Sequence, residues 1–166
     1  MPDLAVSVRR AQPADAAGVA DLVNRAYAIE AFFVDGDRTS ADEIRAMMDR
    51  GEFIVLEGER GGSISSLVAA VYVEARGYFG MLSVLPERQG LGLGTRMVRI
   101  AEAICEARGA TTMHIRIINL REELARWYRS LGYREVGTAP YTYRPVKQPC
   151  HFVDMQRDLT PSRVAA

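Results

Sequence analysis

The chain has 166 residues, 48% of them hydrophobic and 25% charged, which is typical of a single globular domain over residues 1–166. Its 21 basic and 21 acidic residues cancel, which argues against a nucleic-acid partner or an anionic membrane surface. No apolar run approaches the roughly 20 residues of a membrane span, no secretion signal is recognisable and the two cysteines match no zinc spacing, so we expect a cytoplasmic protein without a metal.

The first 50 residues predict one strand and two helices. Ala5–Arg10 alternates between apolar and polar residues, as in a strand, and a proline then opens a helix with apolar residues at helical spacing. Phe32–Arg38 breaks this period and is predicted to be a loop. Ser40 and Glu43 have the spacing of a capping box, so a second helix is expected to run to about Arg50.

Three strand signals follow in close succession. They are Phe53–Glu57, Ile64–Ala75 and Tyr78–Val84. A glycine-rich turn at 58–62 and the pair Arg76-Gly77 separate them, so they predict an antiparallel meander.

The second half of the chain alternates between helices and strands. Three spaced glycines lead into a helix that Gly109 closes, and the β-branched strand Thr112–Ile118 follows. Asn119 is predicted to cap the next helix, with a glutamate three positions later. Two last strands, Tyr133–Thr138 and His151–Arg157, flank a proline-rich loop. The element order predicts an α+β domain with one mixed, mostly antiparallel sheet flanked by helices.

The strongest functional signal is the glycine-rich loop between a strand and a helix. Its residues are Gln89, Gly90, Leu91, Gly92, Leu93, Gly94 and Thr95. Glycines let the backbone approach a ligand closely, and the first turn of the following helix offers unpaired N–H groups and a positive dipole end. Together these features suit a pyrophosphate. The alternative is a tight turn without a ligand, which explains three alternating glycines poorly.

Two common phosphate-binding motifs do not fit this loop. A Walker loop requires a lysine that is absent here. A dinucleotide fingerprint requires a third glycine where the register from Gly90 places Thr95, and an acidic residue about 20 positions later, where the chain has Ala110–Thr112. The phosphate ligand must therefore belong to another class.

The loop resembles the Gln/Arg-x-x-Gly-x-Gly/Ala motif of the GNAT superfamily of N-acetyltransferases, at Gln89, Gly92 and Gly94. The segment Met81–Pro86 looks like that family's strand leading into the motif. Trp127–Tyr133 resembles its Tyr-x-x-x-Gly-Phe/Tyr signature. The element order agrees as well, so the resemblance covers almost the whole chain.

The resemblance implies acetyl-CoA as co-substrate, without a metal, and direct attack of an amine on the thioester. Backbone N–H groups along Leu82, Ser83 and Val84 would hold the thioester carbonyl and the pantetheine arm. Tyr128 would be the general acid, because a phenol with a pKa of about 10 stays protonated at pH 7. The alternative is a core tyrosine. Asn119 is the weaker cofactor-binding candidate. The family often has seven positions between an asparagine after the fifth strand and the tyrosine, whereas Asn119 and Tyr128 are nine apart.

The general base is less well defined by the sequence. No carboxylate stands on Tyr78–Val84, where some members of the family carry one. Glu74 on the preceding strand is the candidate, with Asp35 or Asp37 as alternatives. Each of these acids has the alternative of being a solvated surface residue.

The resemblance places the acceptor site beside the loop 32–39. Phe33, Asp35 and Arg38 are candidates to hold a small zwitterion, with Arg38 on a carboxylate, and His151 is a further candidate. We therefore predict transfer of an acetyl group to the amine of a small molecule or an amino-acid-like acceptor. The alternatives are a protein or peptide N-acetyltransferase and a non-catalytic acyl-CoA sensor. The sequence does not determine the oligomeric state, and a homodimer is one candidate because dimers are common for this fold.

Overall fold

The computed structural model describes residues 6–60 and 63–159, which form seven strands and four α-helices. The strands are β1 (Val6–Arg10), β2 (Glu52–Arg60), β3 (Ser63–Glu74), β4 (Tyr78–Val84), β5 (Thr112–Ile118), β6 (Arg134–Pro140) and β7 (His151–Asp158). The helices are α1 (Ala16–Ala26), α2 (Ala41–Met48), α3 (Leu93–Ala107) and α4 (Glu122–Ser130). The predicted first residue of β1, Ala5, and part of the predicted 58–62 turn lie outside the described residues.

All seven strands belong to one sheet with the order β1-β2-β3-β4-β5-β7-β6. Every neighbouring pair is antiparallel except β4 and β5, which are parallel. The helices α1 and α3 pack against β3 and β4 through residues spaced three or four apart. The predicted α+β fold with a mixed, mostly antiparallel sheet is therefore confirmed. Across residues 6–60 and 63–159, no helix has the length and apolarity that crossing a membrane requires.

The centre of the sheet opens between β4 and β5. These strands pair only at Tyr78 and His114, and their remaining residues have no ladder partner in the other strand. The β4 strand also contains one extra residue, because Gly80 lies opposite Tyr72 whereas Ser83 lies opposite Ala70. Such a bulge bends a strand and redirects its backbone groups. The result is a gap at the carboxyl ends of two parallel strands.

Two local predictions at helix starts had different outcomes. The capping box is confirmed in part, because Ser40 Oγ accepts the Glu43 N–H at 3.2 Å, while the Glu43 carboxylate bonds to the Thr39 hydroxyl instead. The predicted cap at Asn119 is wrong, since α4 begins only at Glu122. Asn119 lies beside β7, where its side-chain oxygen accepts the His151 N–H at 2.8 Å. The Asn119 side chain therefore accepts a backbone N–H at the start of β7 instead of one at the start of α4.

Several boundaries differ from the prediction, two of them near the glycine loop and the segment after α1. The α3 helix begins at Leu93, so Gly94 belongs to the helix and only Gly90 and Gly92 remain in the loop. The segment Tyr27–Phe32 continues from α1 as a 3₁₀ helix, so the predicted loop begins one residue later.

Candidate functional site

A cavity of about 970 Å³ lies beside the gap between β4 and β5 and is lined by residues from both strands. Five of the residues singled out from the sequence line it: Phe33, Arg38, Glu74, Leu82 and Tyr128. Asp35, Asp37 and His151 are exposed and lie outside the lining. The structure therefore brings together the proposed acid, one proposed base and part of the proposed acceptor site.

The loop between β6 and β7 walls the cavity on one side. It is tied to the segment between α1 and α2, since Arg144 donates to the carbonyl of Arg38 at 2.8 Å. Lys147 Nζ donates to the Ala31 carbonyl at 2.8 Å and pairs with Asp35 at the same distance. Asp35 is 83% exposed. The Asp35 carboxylate thus holds the β6–β7 loop through an ion pair on the outer surface, and this is why it does not face the cavity.

The charges that line the cavity balance. The lining contains four carboxylates and four guanidinium groups. The carboxylates are those of Glu30, Glu43, Glu74 and Asp154, and the guanidinium groups are those of Arg38, Arg50, Arg116 and Arg144. Some of these groups already have partners, as in the Arg116–Asp154 pair at 2.7 Å. Arg38 lies over the ring of Tyr27, 5.5 Å from its centroid. A cavity of this kind suits a molecule that carries both a positive and a negative charge.

Tyr128 lies at the junction of α4 and the cavity and is only 5% exposed. Its ring packs among Phe79, Trp127 and Tyr133, with centroid distances of 6.1, 4.8 and 5.7 Å. Within the described chain its hydroxyl has no hydrogen-bond partner. Burial raises the pKa of Tyr128 well above its usual value near 10. The phenol is thus protonated throughout the working pH range and can donate its proton to a ligand.

Glu74 lines the cavity at the end of β3 and already accepts a hydrogen bond. The Tyr72 hydroxyl donates to Glu74 Oε1 at 2.7 Å. Burial, and then this carboxylate, raise the pKa of Tyr72. The Glu74 carboxylate is therefore partly occupied by a neighbour on its own strand.

A second carboxylate of the cavity, Glu30 in the 3₁₀ segment after α1, was not predicted from the sequence. Glu30 is 8% exposed, lines the cavity, and accepts from Arg121 Nη1 at 3.4 Å. Burial raises the pKa of Glu30, while the charges of Arg121 and Arg38 act in the opposite direction. The signal that could have revealed it is a single acid inside the otherwise apolar run 26–34.

The glycine loop leaves open space in front of the N-terminus of α3. Gly90 and Gly92 have φ of +81° and +80°, and a Cβ atom at either would meet no other atom within 4 Å. The first helical bond joins the Arg96 N–H to the Gly92 carbonyl at 3.1 Å, so the preceding N–H groups are available to a ligand. Gln89 steadies the loop by donating to the Val84 carbonyl at 3.2 Å. This arrangement fits a pyrophosphate.

The other members of the predicted cofactor set have mixed surroundings. A Cβ on Gly94 would lie 3.4 Å from Trp127, so this glycine allows α3 and α4 to pack closely. The side chain of Leu93 is in the core, and the exposed Leu91 lies at the surface. Ser83 is buried, and its hydroxyl donates to the Met81 carbonyl at 2.9 Å. The side chains of Leu93 and Ser83 are therefore turned into the protein, away from a ligand in the loop.

A family model, described as acetyltransferase (GNAT) domain, matches residues 49–135, slightly more than half of the chain. The match includes the glycine loop and Tyr128. It excludes both segments that wall the cavity, the one between α1 and α2 and the β6–β7 loop. No curated protein is similar enough in sequence to count as a relative.

Several solved structures share the fold over nearly their whole length. The ribosomal-protein-S18-alanine N-acetyltransferase from Escherichia coli has a TM-score of 0.76 and 16% identity, covering 97% of this chain and 98% of that one. The yncA protein from Salmonella typhimurium, with its cofactor acetyl-CoA, has a TM-score of 0.70 and 20% identity over 98% and 97% of the chains. Nourseothricin acetyltransferase has a TM-score of 0.69 and 17% identity over 94% and 99%.

Proposed function

The chain belongs to the GNAT family of acetyltransferases and is an acetyl-CoA-dependent N-acetyltransferase, and we propose that its acceptor is a small, amino-acid-like amine. The observation that carries the proposal is the charge-balanced cavity walled by the pinned β6–β7 loop. Similarity of fold does not choose the acceptor. The names of three structural neighbours give three different acceptors, which are a ribosomal protein, nourseothricin and phosphinothricin.

Acetyl-CoA supplies the acetyl thioester, and the residues of this chain divide the remaining tasks. The Gly90–Gly92 loop and the N–H groups of the first turn of α3, through Thr95, hold the pyrophosphate. Backbone groups of Leu82–Val84, along the gap, orient the pantetheine arm and the thioester carbonyl. Tyr128 gives its proton to the sulfur as the C–S bond breaks. Arg38 and Phe33 hold the acceptor beside the thioester. Positioning of this kind is worth an effective molarity of roughly 10⁵ M or more.

A panel of amines tests the acceptor class. With acetyl-CoA present, release of CoA is measured with free amino acids, with simple monoamines of similar size, and with short peptides. We expect amino acids to give the highest kcat/KM, because they match both charges of the cavity, unlike monoamines, and are smaller than peptides. A higher kcat/KM with peptides would indicate that the chain is a protein or peptide N-acetyltransferase. Absence of CoA release from all amines, with acetyl-CoA bound, would indicate a sensor.

Acetyl-CoA is expected to stabilise the protein against heat. A ligand present at 100 times its Kd adds about 2.7 kcal/mol to the free energy of unfolding. NAD and ATP are expected to stabilise the protein far less, since the loop fits neither of their motifs. A melting curve with each ligand is the measurement, and equal stabilisation by NAD would contradict the assignment of the loop.

The cytoplasmic location stays a prediction of the sequence, and the homodimer stays a candidate. Light scattering on a size-exclusion column measures the second directly.

A further inference from the structure

Glu30 lies where the wall of the cavity meets the start of α4. Its Oε2 accepts from Arg121, the residue that immediately precedes α4. Tyr27, Glu30 and Tyr128 line the same cavity. Electrostatic interactions also link Tyr27 both to Glu30 and to Tyr128. The carboxylate and the proposed general acid therefore face one enclosed space.

The charged and titratable groups around Glu30 come from four parts of the chain. Arg38 and Tyr141 face it from the two walls of the cavity, Arg121 and Glu123 from the start of α4, and Tyr27 from its own segment. Arg121 contacts Oε2 directly, with Nη1 at 3.4 Å. Within the described residues no donor is bonded to Oε1. One oxygen is thus held in place while the other remains available to the cavity.

Glu74, the other candidate, has a different environment. It is bonded to Tyr72 at 2.7 Å and lies at the end of β3, opposite the first residue of β4. That position is at the paired end of β4 and β5, since Tyr78 is where those strands still meet. Glu30 instead pairs with Arg121, which immediately precedes α4, the helix that carries the proposed acid. Its partner thus belongs to another element, whereas the partner of Glu74 belongs to the same strand.

We propose that Glu30 is the general base that removes the proton from the acceptor amine. The inference rests on the proposed function. In the step, a proton moves from the acceptor nitrogen to a Glu30 oxygen, and the nitrogen lone pair forms the C–N bond. The C–S bond then breaks, and the sulfur takes the phenolic proton of Tyr128. Tyr128 then takes a proton back from water, and Glu30 returns one to water. An acceptor that enters as an ammonium ion also loses a second nitrogen proton to water as the amide forms, so one proton in all is released for each acetyl group transferred.

The first test compares Glu30→Gln with Glu74→Gln. A general base contributes roughly 10²–10⁴-fold, so Glu30→Gln is expected to lower acceptor kcat/KM by at least about 10²-fold. Its amide can still accept from Arg121, and the thermal shift with acetyl-CoA, measured alongside, should be retained. In the wild type, kcat/KM should rise with pH as Glu30 ionises. This rising limb of the pH profile should disappear in Glu30→Gln but persist in Glu74→Gln. Loss of the limb in Glu74→Gln alone would overturn the assignment.

The second test uses Arg121→Gln and measures a shift. The Arg121 cation holds the pKa of Glu30 down against the effect of burial. Removing this cation should raise that pKa, and the rising limb of kcat/KM should move to higher pH. A limb that belongs to the free amine would not move. An unchanged limb overturns the proposal, and this test remains decisive even if Glu30→Gln fails to fold.

Wild-type turnover separates the two levels of inference. If no amine releases CoA, the proposed function fails, and the assignment of Glu30 fails with it. If an amine is acetylated and Glu30→Gln keeps kcat/KM within about threefold, the function stands and the assignment of Glu30 is overturned.

Discussion

Replacement of Tyr128 by phenylalanine is expected to lower kcat by 10²–10⁴-fold, the usual contribution of a general acid. The corresponding increase in the activation barrier is about 3–5 kcal/mol. The ring would keep its packing against Phe79, Trp127 and Tyr133, so the fold and acetyl-CoA binding should be retained. The measurement is kcat beside a melting curve, with the best amine of the panel. Turnover within about threefold of the wild type would make Tyr128 a core residue.

Tyr133→Phe is the matched control. Tyr133 is also buried, but its hydroxyl donates to Glu102 at 3.0 Å. Arg157 donates to the same carboxylate at 2.7 Å. Removing this hydroxyl should cost about 1 kcal/mol of stability or somewhat more and leave kcat nearly unchanged. Opposite behaviour of the two tyrosines separates catalysis from packing.

The raised pKa of Tyr128 is compatible with proton donation. Burial raises it because a phenolate would lose its hydration. A departing thiolate in the same enclosed space loses hydration as well, so its affinity for the proton rises too. The charge of Arg121 stabilises the phenolate and lowers the pKa of Tyr128 in part. Loss of activity at alkaline pH should therefore not report on Tyr128.

Features that depend on neighbouring residues in the chain could be predicted from the sequence. The span of β4, the span of β5 and the Ser40 cap follow from alternation and from a short capping motif. The glycine loop was recognisable because a strand, spaced glycines and a helix follow each other directly. The same signals gave the order of helices and strands along the chain, with which the resemblance agreed.

Features that depend on distant residues could not be predicted in this way. The side-chain amide of Asn119 could accept a backbone N–H at the start of α4 or at the start of β7. Only the position of β7 in the fold decides between them. Asp35 was expected near the acceptor, but Lys147, 112 positions later in the chain, draws its carboxylate outward. Glu30 gained its significance from Arg121, which is 91 positions away. Side-chain environments of this kind are set by tertiary contacts.

Gly92→Val is expected to abolish the thermal shift with acetyl-CoA while the protein still folds. Gly92 has a φ of +80° and forms the N-terminal boundary of α3. A β-branched side chain resists this backbone conformation. Apart from its neighbours in the chain, no protein atom lies within 4 Å of the Cβ position, and this is the space assigned to the pyrophosphate. The measurement is the melting temperature with and without saturating acetyl-CoA.

Gly109→Val at the other end of the same helix is the control. Gly109 has a φ of +90°, and a Cβ there also meets no atom within 4 Å. Its valine variant therefore carries a similar backbone strain, of about 1–2 kcal/mol, far along α3 from the loop. Both variants should melt earlier than the wild type without ligand, but only Gly109→Val should recover the full shift on adding acetyl-CoA. If Gly92→Val shows the full shift as well, the pyrophosphate does not bind at this loop. Backbone strain alone would then explain the lower melting temperature of this variant.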